Sequence, residues 1–548
     1  MWAELRPWLD LMLQRRLRLA AGVALMAATL FAGIGLLALS GWFITATAVT
    51  AMAWAVGVRA TLDVYVPGGG IRAFAVTRTV TRYLERLYNH DTVLRLLADL
   101  RVHLFQSLTR LDGTVRSRFT AAQWLNRLVS DVDTLDNLYL RQLAPPLVAL
   151  LGVVLVAGLI GWFAPPIGLL AGGMLTVVLL VATVGVARLT RTLSARRVAS
   201  QDRLRRQAVE QLRGLAELSA SGQLLSHQRQ LMAEETHYRR DQRRLLIRTA
   251  GVQGLVTFGI QSGVILVLVL ALMAWQAEHI SGPIMVMMPL AVMALTEGMT
   301  VLPAAFSQWG ASVAAATRLN EQTAMSSSQP EPDDPGKVPA HPTITWSGVT
   351  VRYGEVSVLS RMTLSLAPGE RLGVMGPSGC GKSTLAALAA RLQDPDEGAV
   401  LADGEPLTHF RREDWQQRLA FLSQEAHLFN DSVAENLRLG APQADEALLW
   451  QVLEAVQLAA TVRGFEQGLE TRIGELGGQL SGGEGRRLAL ARVLLRGAPI
   501  VILDEPFTGL DRATAERVEQ GIEPWLAGCT VLCLAHAPEA MPAMDRYL

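Results

Sequence analysis

The chain has 548 residues, of which 50% are hydrophobic and 18% are charged, and its mean hydropathy is +0.27. Soluble globular proteins carry about 25% charged residues, so this composition argues against a disordered scaffold and against a purely soluble enzyme. The net charge of +1 gives no electrostatic case for nucleic acid as a partner.

Cysteine and lysine are both rare in this chain. The three cysteines, Cys380, Cys529 and Cys533, are too few for a disulfide framework and are consistent with a reduced compartment. Only two of the 50 basic residues are lysines, Lys337 and Lys382, so a lysine at a given position calls for a specific reason.

The first 310 residues contain long apolar segments, each near the ~20 residues that cross a bilayer. These segments are Leu19–Leu39, Leu147–Phe163, Ile167–Val186, Val252–Trp275 and Pro283–Val301. A sixth span is expected between Ala46 and His90, in a stretch that a break at Pro67–Gly70 divides. Any single segment could be a buried core helix, but five in one chain predict a membrane domain.

Arginine placement predicts the orientation of these spans. Ten arginines lie between Arg78 and Arg141 and fourteen between Arg188 and Arg248, whereas the connections Ala164–Pro166 and Ala277–Gly282 contain no basic residue. Basic loops stay on the cytoplasmic side, so the pattern predicts six spans joined by two long cytoplasmic loops. The arginines act as topology signals, and the loops are also long enough to reach a cytoplasmic partner domain.

Four basic residues recur at helical spacing in the second span region. We call Arg78, Arg82, Arg86 and His90 the arginine stripe, because a spacing of four places them along one face of a helix. Arginine facing lipid is costly, so within a membrane span the stripe would face the bundle interior and suit an anionic ligand.

The arginine stripe has an alternative interpretation with equal weight. It could already lie in the cytoplasm, solvated and paired with Glu85 and Asp91. Asp63 and Glu297 are further candidate charges inside the membrane. The membrane half contains no cysteine, which excludes thiol exchange with a cysteine of this domain.

The composition changes after Leu319. The polar, proline-rich segment Ser326–Gly336 cannot form a core and predicts a linker. From His341 onward, short β-rich runs alternate with helical patterns, which predicts a soluble α/β domain. We therefore expect a membrane domain over 1–320, a linker over 321–340 and an α/β domain over 341–548.

A phosphate-binding loop lies near the start of the α/β domain. The segment Arg371–Met375 predicts a strand, and a helical pattern follows the loop, as such a loop requires. Glycines let backbone N–H groups close around phosphates, and the helix N-terminus adds partial positive charge. Lys382 is expected to contact the β- and γ-phosphates of ATP, and Ser383 to bind Mg²⁺. The nucleotide-binding residues are Gly376, Pro377, Ser378, Gly379, Cys380, Gly381, Lys382, Ser383 and Thr384.

A second element lies about 120 residues downstream. Four apolar residues, Ile500–Leu503, predict a buried strand that ends in Asp504 and Glu505. Asp504 is expected to hold Mg²⁺ and Glu505 to polarise the attacking water.

Between these elements, Leu480–Glu484 reads Leu-Ser-Gly-Gly-Glu and resembles the signature of the ABC ATPase family, usually written LSGGQ. The loop Thr471–Gly478 before it is similar to the corresponding loop of exporters. The resemblance implies that the signature closes over ATP held by the phosphate-binding loop of another nucleotide domain. The signature residues are Ser481, Gly482, Gly483 and Glu484.

Other positions match the family in order and spacing. The resemblance implies that Tyr353 stacks on adenine and that Gln424 serves both the metal and catalysis. It further implies that Asp511 lies in the D-loop and that His536 contacts the γ-phosphate. The catalytic residues would be Glu505, His536 and Gln424, and the metal-binding residues Ser383, Gln424 and Asp504.

The chain departs from the family pattern at two places. Glu484 replaces the usual Gln, which we expect to be tolerated. Only twelve residues follow His536, whereas family members usually continue through another strand and terminal helices. We therefore expect some loss of stability in the nucleotide domain.

Six spans ahead of the nucleotide domain resemble the ABC exporter architecture. The fold class is thus expected to be a six-helix, all-α transmembrane exporter domain fused to an α/β P-loop nucleotide-binding domain. Ala122–Asp136 is similar to the first cytoplasmic loop of exporters. Leu39–Phe43, Arg82–Asp91 and Asp131–Arg141 are similar to the heterodimeric thiol exporters of bacterial inner membranes, which are linked to cytochrome bd assembly.

This resemblance implies a half-transporter that pairs with a second ABC chain. It would use ATP and Mg²⁺ to export cysteine or glutathione to the periplasm, with haem as another candidate ligand or substrate. Haem carboxylates would suit the arginine stripe, and His90 could ligate the haem iron. Two alternatives remain: a membrane-tethered ATPase that binds haem without net transport, and a generic lipid or drug exporter. The first alternative predicts ATP hydrolysis without solute movement, and the second predicts an apolar cavity.

Overall fold

The computed structural model describes residues 2–109, 111, 119, 121–325, 331–474 and 477–548. It forms two compact units, one from Met1–Thr109 and Phe119–Met325 and the other mainly from Ser326–Leu548. Part of the predicted linker and of the loop before the signature, residues 326–330, 475 and 476, lies outside the described residues.

Within its described residues, all regular secondary structure of the first unit is helical. Its helices are α1 (Trp2–Leu13), α2 (Arg16–Ala55), α3 (Tyr65–Thr109), α4 (Ala121–Asn126), α5 (Val132–Asn137), α6 (Ala144–Phe163), α7 (Pro165–Leu180), α8 (Val186–Arg213), α9 (Leu215–Ala220), α10 (Leu224–Gln276), α11 (Gly282–Ala294), α12 (Thr296–Met299), α13 (Leu302–Phe306) and α14 (Trp309–Ala324). π-helical turns at Arg127–Asp131, Leu138–Leu143 and Val181–Gly185 join neighbouring helices. The last helix continues to Ala324, four residues beyond the predicted end of the membrane domain.

Five helical stretches are long and apolar enough to cross a membrane, and each contains one of the predicted apolar segments. They are Arg16–Ala55, Gln123–Phe163, Pro165–Arg213, Leu224–Gln276 and Gly282–Phe306. Their inward faces pack into one core that includes Ile34, Val156, Leu175, Ile260 and Met288.

Helix α3 is 45 residues long and packs along α2, but it is not among these five stretches. The prediction that Pro67–Gly70 breaks the stretch from Ala46 to His90 is wrong, because these residues lie in the first two turns of α3. Proline is tolerated there because first-turn N–H groups have no partner within the helix. The separation between α2 and α3 is the segment 56–64. Asp63 lies two residues before α3, and its Oδ1 accepts a hydrogen bond from the Tyr65 N–H at 2.8 Å.

The second unit contains two sheets with helices around them. Its strands are β1 (Ile344–Tyr353), β2 (Val356–Leu366), β3 (Arg371–Met375), β4 (Glu397–Ala402), β5 (Glu405–Pro406), β6 (Leu419–Leu422), β7 (Ile500–Asp504), β8 (Thr530–Ala535) and β9 (Arg546–Tyr547). Its helices are α15 (Lys382–Ala389), α16 (Arg412–Gln417), α17 (Val433–Arg438), α18 (Glu446–Ala455), α19 (Ala459–Arg463), α20 (Gly482–Leu495) and α21 (Arg512–Leu526).

The parallel sheet has the order β6-β7-β8-β3-β9, and the antiparallel sheet has the order β2-β1-β4-β5. Every residue of β7 and β8 is buried, which explains their continuous apolar sequences. The carboxyl ends of β3 and β7 therefore meet at one edge, where α/β sheets bind ligands.

The last strand lies at the edge of this sheet. Of the elements that family members usually have after His536, a short strand is present, because β9 pairs with β3 in parallel. The Asp545 N–H donates to the Arg371 carbonyl at 2.9 Å, and the Leu548 N–H donates to the Gly373 carbonyl at 2.8 Å. The Met375 N–H in turn donates to the Leu548 carbonyl at 2.8 Å.

We expect deletion of residues 545–548 to destabilise the nucleotide unit. The deletion removes three backbone hydrogen bonds worth about 1 kcal/mol each, so the free energy of unfolding should fall by about 3 kcal/mol. Cys533 is buried on β8, so its rate of labelling by a thiol reagent in urea reports opening of this unit once the other two cysteines are replaced, in a Cys380→Ala, Cys529→Ala background. Leu548→Ala keeps the backbone bonds and should leave the rate nearly unchanged. Equal labelling of the deletion variant and the parent would contradict a structural role for β9.

Candidate functional site

The phosphate-binding loop connects β3 to α15. Gly379 and Gly381 have φ of +84° and +99°, and a Cβ on Gly381 would lie 2.7 Å from Leu359 Cδ2. The buried Lys382 Nζ donates to the carbonyl oxygens of Gly376 at 2.5 Å and Pro377 at 3.1 Å. The loop therefore curls around its own lysine and fixes one positive charge at its centre.

A hydroxyl and a carboxylate meet beside this loop. Ser383 Oγ donates to Asp504 Oδ2 at 2.7 Å, and Asp504 is 2% exposed at the end of β7. Burial raises the pKa of Asp504, and the hydrogen bond from Ser383 opposes that shift. One hydroxyl and one carboxylate oxygen are ligands that Mg²⁺ accepts when nucleotide phosphates supply others, so this pair fits the metal that ATP brings.

Glu505 lies in a constrained position next to Asp504. Its φ is +52°, a left-handed conformation that costs about 1–3 kcal/mol for a residue with a side chain. Its carboxylate is 2.6 Å from His536 Nε2, and it accepts from Thr508 Oγ1 at 3.1 Å. The Glu505 N–H also donates to the Leu534 carbonyl at 2.7 Å. These contacts hold the strained residue in place.

His536 joins Glu505 to the phosphate-binding loop. Its Nδ1 lies 3.1 Å from the carbonyl oxygen of Gly376, while Nε2 faces Glu505. Both ring nitrogens thus face acceptors, but a neutral imidazole has only one N–H. Both hydrogen bonds form together only when the His536–Glu505 pair carries one additional proton, on either residue. The structure therefore brings these two predicted catalytic residues into direct contact.

The signature begins α20 with a capping box. The Glu484 carboxylate accepts from the N–H and the hydroxyl of Ser481, both at 2.8 Å, and the Glu484 N–H donates back to Ser481 Oγ at 3.4 Å. The Ser481 N–H holds the pKa of Glu484 below its ordinary value. The Ser-x-x-Glu spacing that predicts such a box is visible in the sequence, although the sequence analysis did not use it.

The signature, Gln424, Glu505 and the D-loop line one cavity of about 700 Å³. A Cβ on Gly483 would lie 3.0 Å from the Gly509 carbonyl oxygen, so a side chain there would crowd the D-loop where α20 approaches it. Asp511 caps α21 by accepting from the Thr514 N–H at 3.0 Å. Tyr353 lies apart from this group at the end of β1, half exposed, and donates to Gln393 Oε1 at 2.8 Å.

In the membrane unit, two residues of the arginine stripe share one carboxylate. Arg78 donates to Glu297 Oε2 at 2.6 Å, and Arg82 donates to Glu297 Oε1. A Cβ on Gly33 would lie 3.6 Å from Arg78 Nε, which places Arg78 at the level of the middle of α2. Both arginines therefore lie at the depth of the apolar bundle.

A cavity of about 660 Å³ lies beside these ion pairs. Arg78, Arg82 and Arg86 line it together with Glu85 and Glu297, whereas His90 is exposed and does not line it. Asp91, the other partner considered from the sequence, pairs with Arg18 and Arg95. The structure thus brings three of the four stripe residues to one cavity and leaves His90 outside it.

Arg486 is a functional candidate that the sequence analysis missed. It lies on α20, is 8% exposed, and donates to the main-chain carbonyl oxygens of both Gln424 and Glu505. Sequence gives no sign of this, because an arginine in a helix is usually solvated.

Comparison with known proteins agrees with this geometry. The ABC transporter family profile matches residues 359–508, and the ABC transporter transmembrane region matches residues 23–293. The chain is 32% identical to the glutathione/L-cysteine transport system ATP-binding/permease protein CydC of Escherichia coli K12, over 99% of this chain and 94% of that protein. The chain belongs to the ABC transporter family, in the group of the CydC and CydD proteins.

Two further relatives support this placement. CydC of Haemophilus influenzae is 30% identical over 99% of this chain and 94% of that protein. CydD of the same transport system in Bacillus subtilis is 30% identical over 89% of this chain and 85% of that protein. A bacterial Atm1-family ABC exporter with ATP bound has the same fold, with a TM-score of 0.80 at 20% identity over 97% of this chain and 93% of that one.

These findings confirm the predicted fold class, a transmembrane ABC exporter domain fused to an ABC nucleotide-binding domain. They also confirm a multi-pass membrane protein with a cytoplasmic nucleotide-binding domain that uses ATP.

We expect Glu484→Ala to destabilise the nucleotide unit by about 1 kcal/mol, because it removes one half of the capping box. Glu484→Gln is the matched control, since its amide oxygen can still accept from the Ser481 N–H. Cys533 labelling in urea provides the measurement. Because hydrogen bonding lowers the pKa of Glu484, the stabilisation should persist above the ordinary carboxyl pKa and disappear as the pH falls through the lowered value. Equal stability of the Ala and Gln variants at neutral pH would contradict this role.

Proposed function

We propose that this chain is one half of an ATP-driven exporter, that it pairs with a CydD-like ABC chain, and that the pair moves glutathione or cysteine from the cytoplasm to the periplasm. Such export would support cytochrome bd assembly. The observation that carries the substrate class is the cavity where Arg78 and Arg82 meet Glu297. The observation that carries the reaction is the contact of Glu505 with His536.

In the proposed reaction, Glu505 orients and polarises the water that attacks the γ-phosphate of ATP. Mg²⁺, held by Ser383 and Asp504, would neutralise charge that develops on the phosphates. Lys382 binds the β- and γ-phosphates, and His536 fixes the Glu505 carboxylate relative to the loop that holds them. The left-handed backbone of Glu505 keeps its carboxylate at the sheet edge.

Hydrolysis is coupled to export through alternating access. ATP joins the two nucleotide domains, with Ser481, Gly482 and Gly483 closing on the partner's nucleotide. The cytoplasmic helices transmit this closure to the spans, and hydrolysis resets them. The signature, Gln424 and Asp511 border one cavity of this chain, which supports a common response to the nucleotide.

The membrane cavity favours an anionic substrate. Three arginines line it against two carboxylates, which leaves positive charge in excess within an apolar bundle. Its volume of about 660 Å³ lies in the ordinary range of small-molecule sites. Glutathione carries two carboxylates that arginine can bind in pairs of hydrogen bonds. A generic lipid or drug exporter is less well supported, because that alternative predicts an apolar cavity and this cavity is lined by charged residues. Haem carboxylates would also suit the arginines, although His90 does not line the cavity.

We expect Glu505→Gln to retain ATP binding and to lower hydrolysis at this site by about a hundredfold or more, because the amide cannot accept a proton. Binding of a fluorescent ATP analogue and phosphate release by the purified heterodimer measure the two effects. Lys382→Ala should lose binding and serves as the control. Unchanged phosphate release in Glu505→Gln would mean that the partner's site carries the activity.

Transport is tested in inside-out vesicles that contain this chain and its CydD-like partner. We expect ATP-dependent accumulation of labelled glutathione and cysteine that Lys382→Ala abolishes. Arg82→Gln should raise the KM for glutathione about tenfold or more and the KM for cysteine less, since glutathione has an additional carboxylate. Arg72→Gln, on the same helix but outside the cavity, is the matched control. ATP hydrolysis without thiol uptake would contradict thiol export and favour haem or another solute.

A further inference from the structure

Arg486 lies on α20, and its guanidinium connects two other segments of the nucleotide site. One terminal nitrogen donates to the carbonyl oxygens of Ser423 at 2.5 Å and Gln424 at 2.8 Å. The other donates to the carbonyl oxygens of Glu505, at 3.1 Å, and Asp504. Four main-chain acceptors on two separate segments are thus held by one side chain.

Arginine is costly in this position. Burial lowers the pKa of Arg486, and the nearby charges of Asp504 and Glu505 only oppose that shift. All four of its hydrogen-bond acceptors are neutral carbonyl groups, whereas a buried charge is stabilised best by an opposite charge. A planar guanidinium can reach two pairs of carbonyls at once, and neither a lysine nor an amide has the donors to do so.

The segments that Arg486 joins have different roles in the proposed transporter. Ser423 and Gln424 follow β6, and Asp504 and Glu505 end β7, so both segments belong to the site for this chain's own ATP. Arg486 itself lies on α20, whose first residues form the signature that closes on the partner's ATP. The distance along α20 from Gly482 to Arg486 is only about one helical turn.

The backbone of Glu505 adds a reason for this bridge. Its left-handed conformation persists only when its surroundings hold it, and Arg486 holds its carbonyl oxygen. A change in the Glu505 backbone would therefore pull on α20 through the guanidinium.

On the basis of the function proposed above, we propose that Arg486 is a positioning residue that couples ATP at this chain's own site to the signature acting at the partner's site. Without the guanidinium, the two sites still bind ATP, but the occupancy of one no longer sets the turnover of the other.

The experiment compares two variants of this chain in the full heterodimer. Lys382→Ala prevents ATP binding at this chain's site, and Glu505→Gln keeps ATP bound there without turnover. Phosphate release in both then reports the partner's site. Coupling of ordinary strength predicts that the two rates differ by about fivefold or more.

The same comparison is then made with Arg486→Met and with Arg486→Lys. With either Arg486 variant present, we expect the Lys382→Ala and Glu505→Gln rates to agree within about twofold. Arg486→Lys has this effect as well because lysine keeps the charge but cannot bridge both segments. Arg492→Met is the matched control, since Arg492 lies on the same helix and donates instead to the carbonyl oxygen of His427, outside the nucleotide site. It should keep the full ratio.

A purely structural role for Arg486 would lower both rates and leave their ratio unchanged, which would overturn the proposal. Equal rates with Arg486 in place would overturn it as well. If Arg486→Met does not fold, as judged by Cys533 labelling, Arg486→Lys alone decides the outcome. A heterodimer that does not hydrolyse ATP at all would contradict the proposed function, so the two failures are distinct.

Discussion

Two adjacent carboxylates at the end of β7 are almost completely removed from water, and the nucleotide unit is organised around this constraint. Burying a polar group without hydrogen-bond partners is costly, so each carboxylate needs polar partners from the surrounding segments. Ser383 donates to Asp504, and His536 contacts Glu505. Arg486 adds a positive charge behind both residues through their carbonyl groups. Because the partners come from different elements, a displacement of any one of them alters the environment of the pair.

The membrane unit contains a related arrangement with the charges reversed. Arg78 and Arg82 lie at the depth of the apolar spans and share the single carboxylate of Glu297. An arginine in this environment is costly unless it has a partner, so Glu297 gives the pair an internal one. A bound carboxylate could take over the same hydrogen bonds. The ion pair thus explains how the cavity can remain stable when no substrate neutralises its arginines.

The sequence was most informative where local pattern and chemistry coincide. The sequence around Lys382 predicts a strand, a glycine-rich loop and a helix, because the backbone conformation of the loop and its binding of phosphate require the same glycines. The second span was harder to predict, since the arginines of α3 have a partner more than 200 residues away in the sequence, Glu297. The break predicted at Pro67 was wrong because proline interrupts a helix in its interior but is tolerated in its first turn, and the sequence did not show where α3 begins. Arg486 could not be identified, since burial is a property of the tertiary structure.

The position of Arg486 also limits how the signature can move. The capping box of Ser481 and Glu484 fixes the first turn of α20, and the helix is stiff over the one turn that separates this cap from Arg486. The signature therefore cannot shift toward a nucleotide unless Arg486 shifts with it or releases the carbonyls of Gln424 and Glu505. Either response reaches this chain's own ATP site. Because the constraint depends only on contacts within one chain, it applies whichever of the two sites in the heterodimer hydrolyses ATP faster.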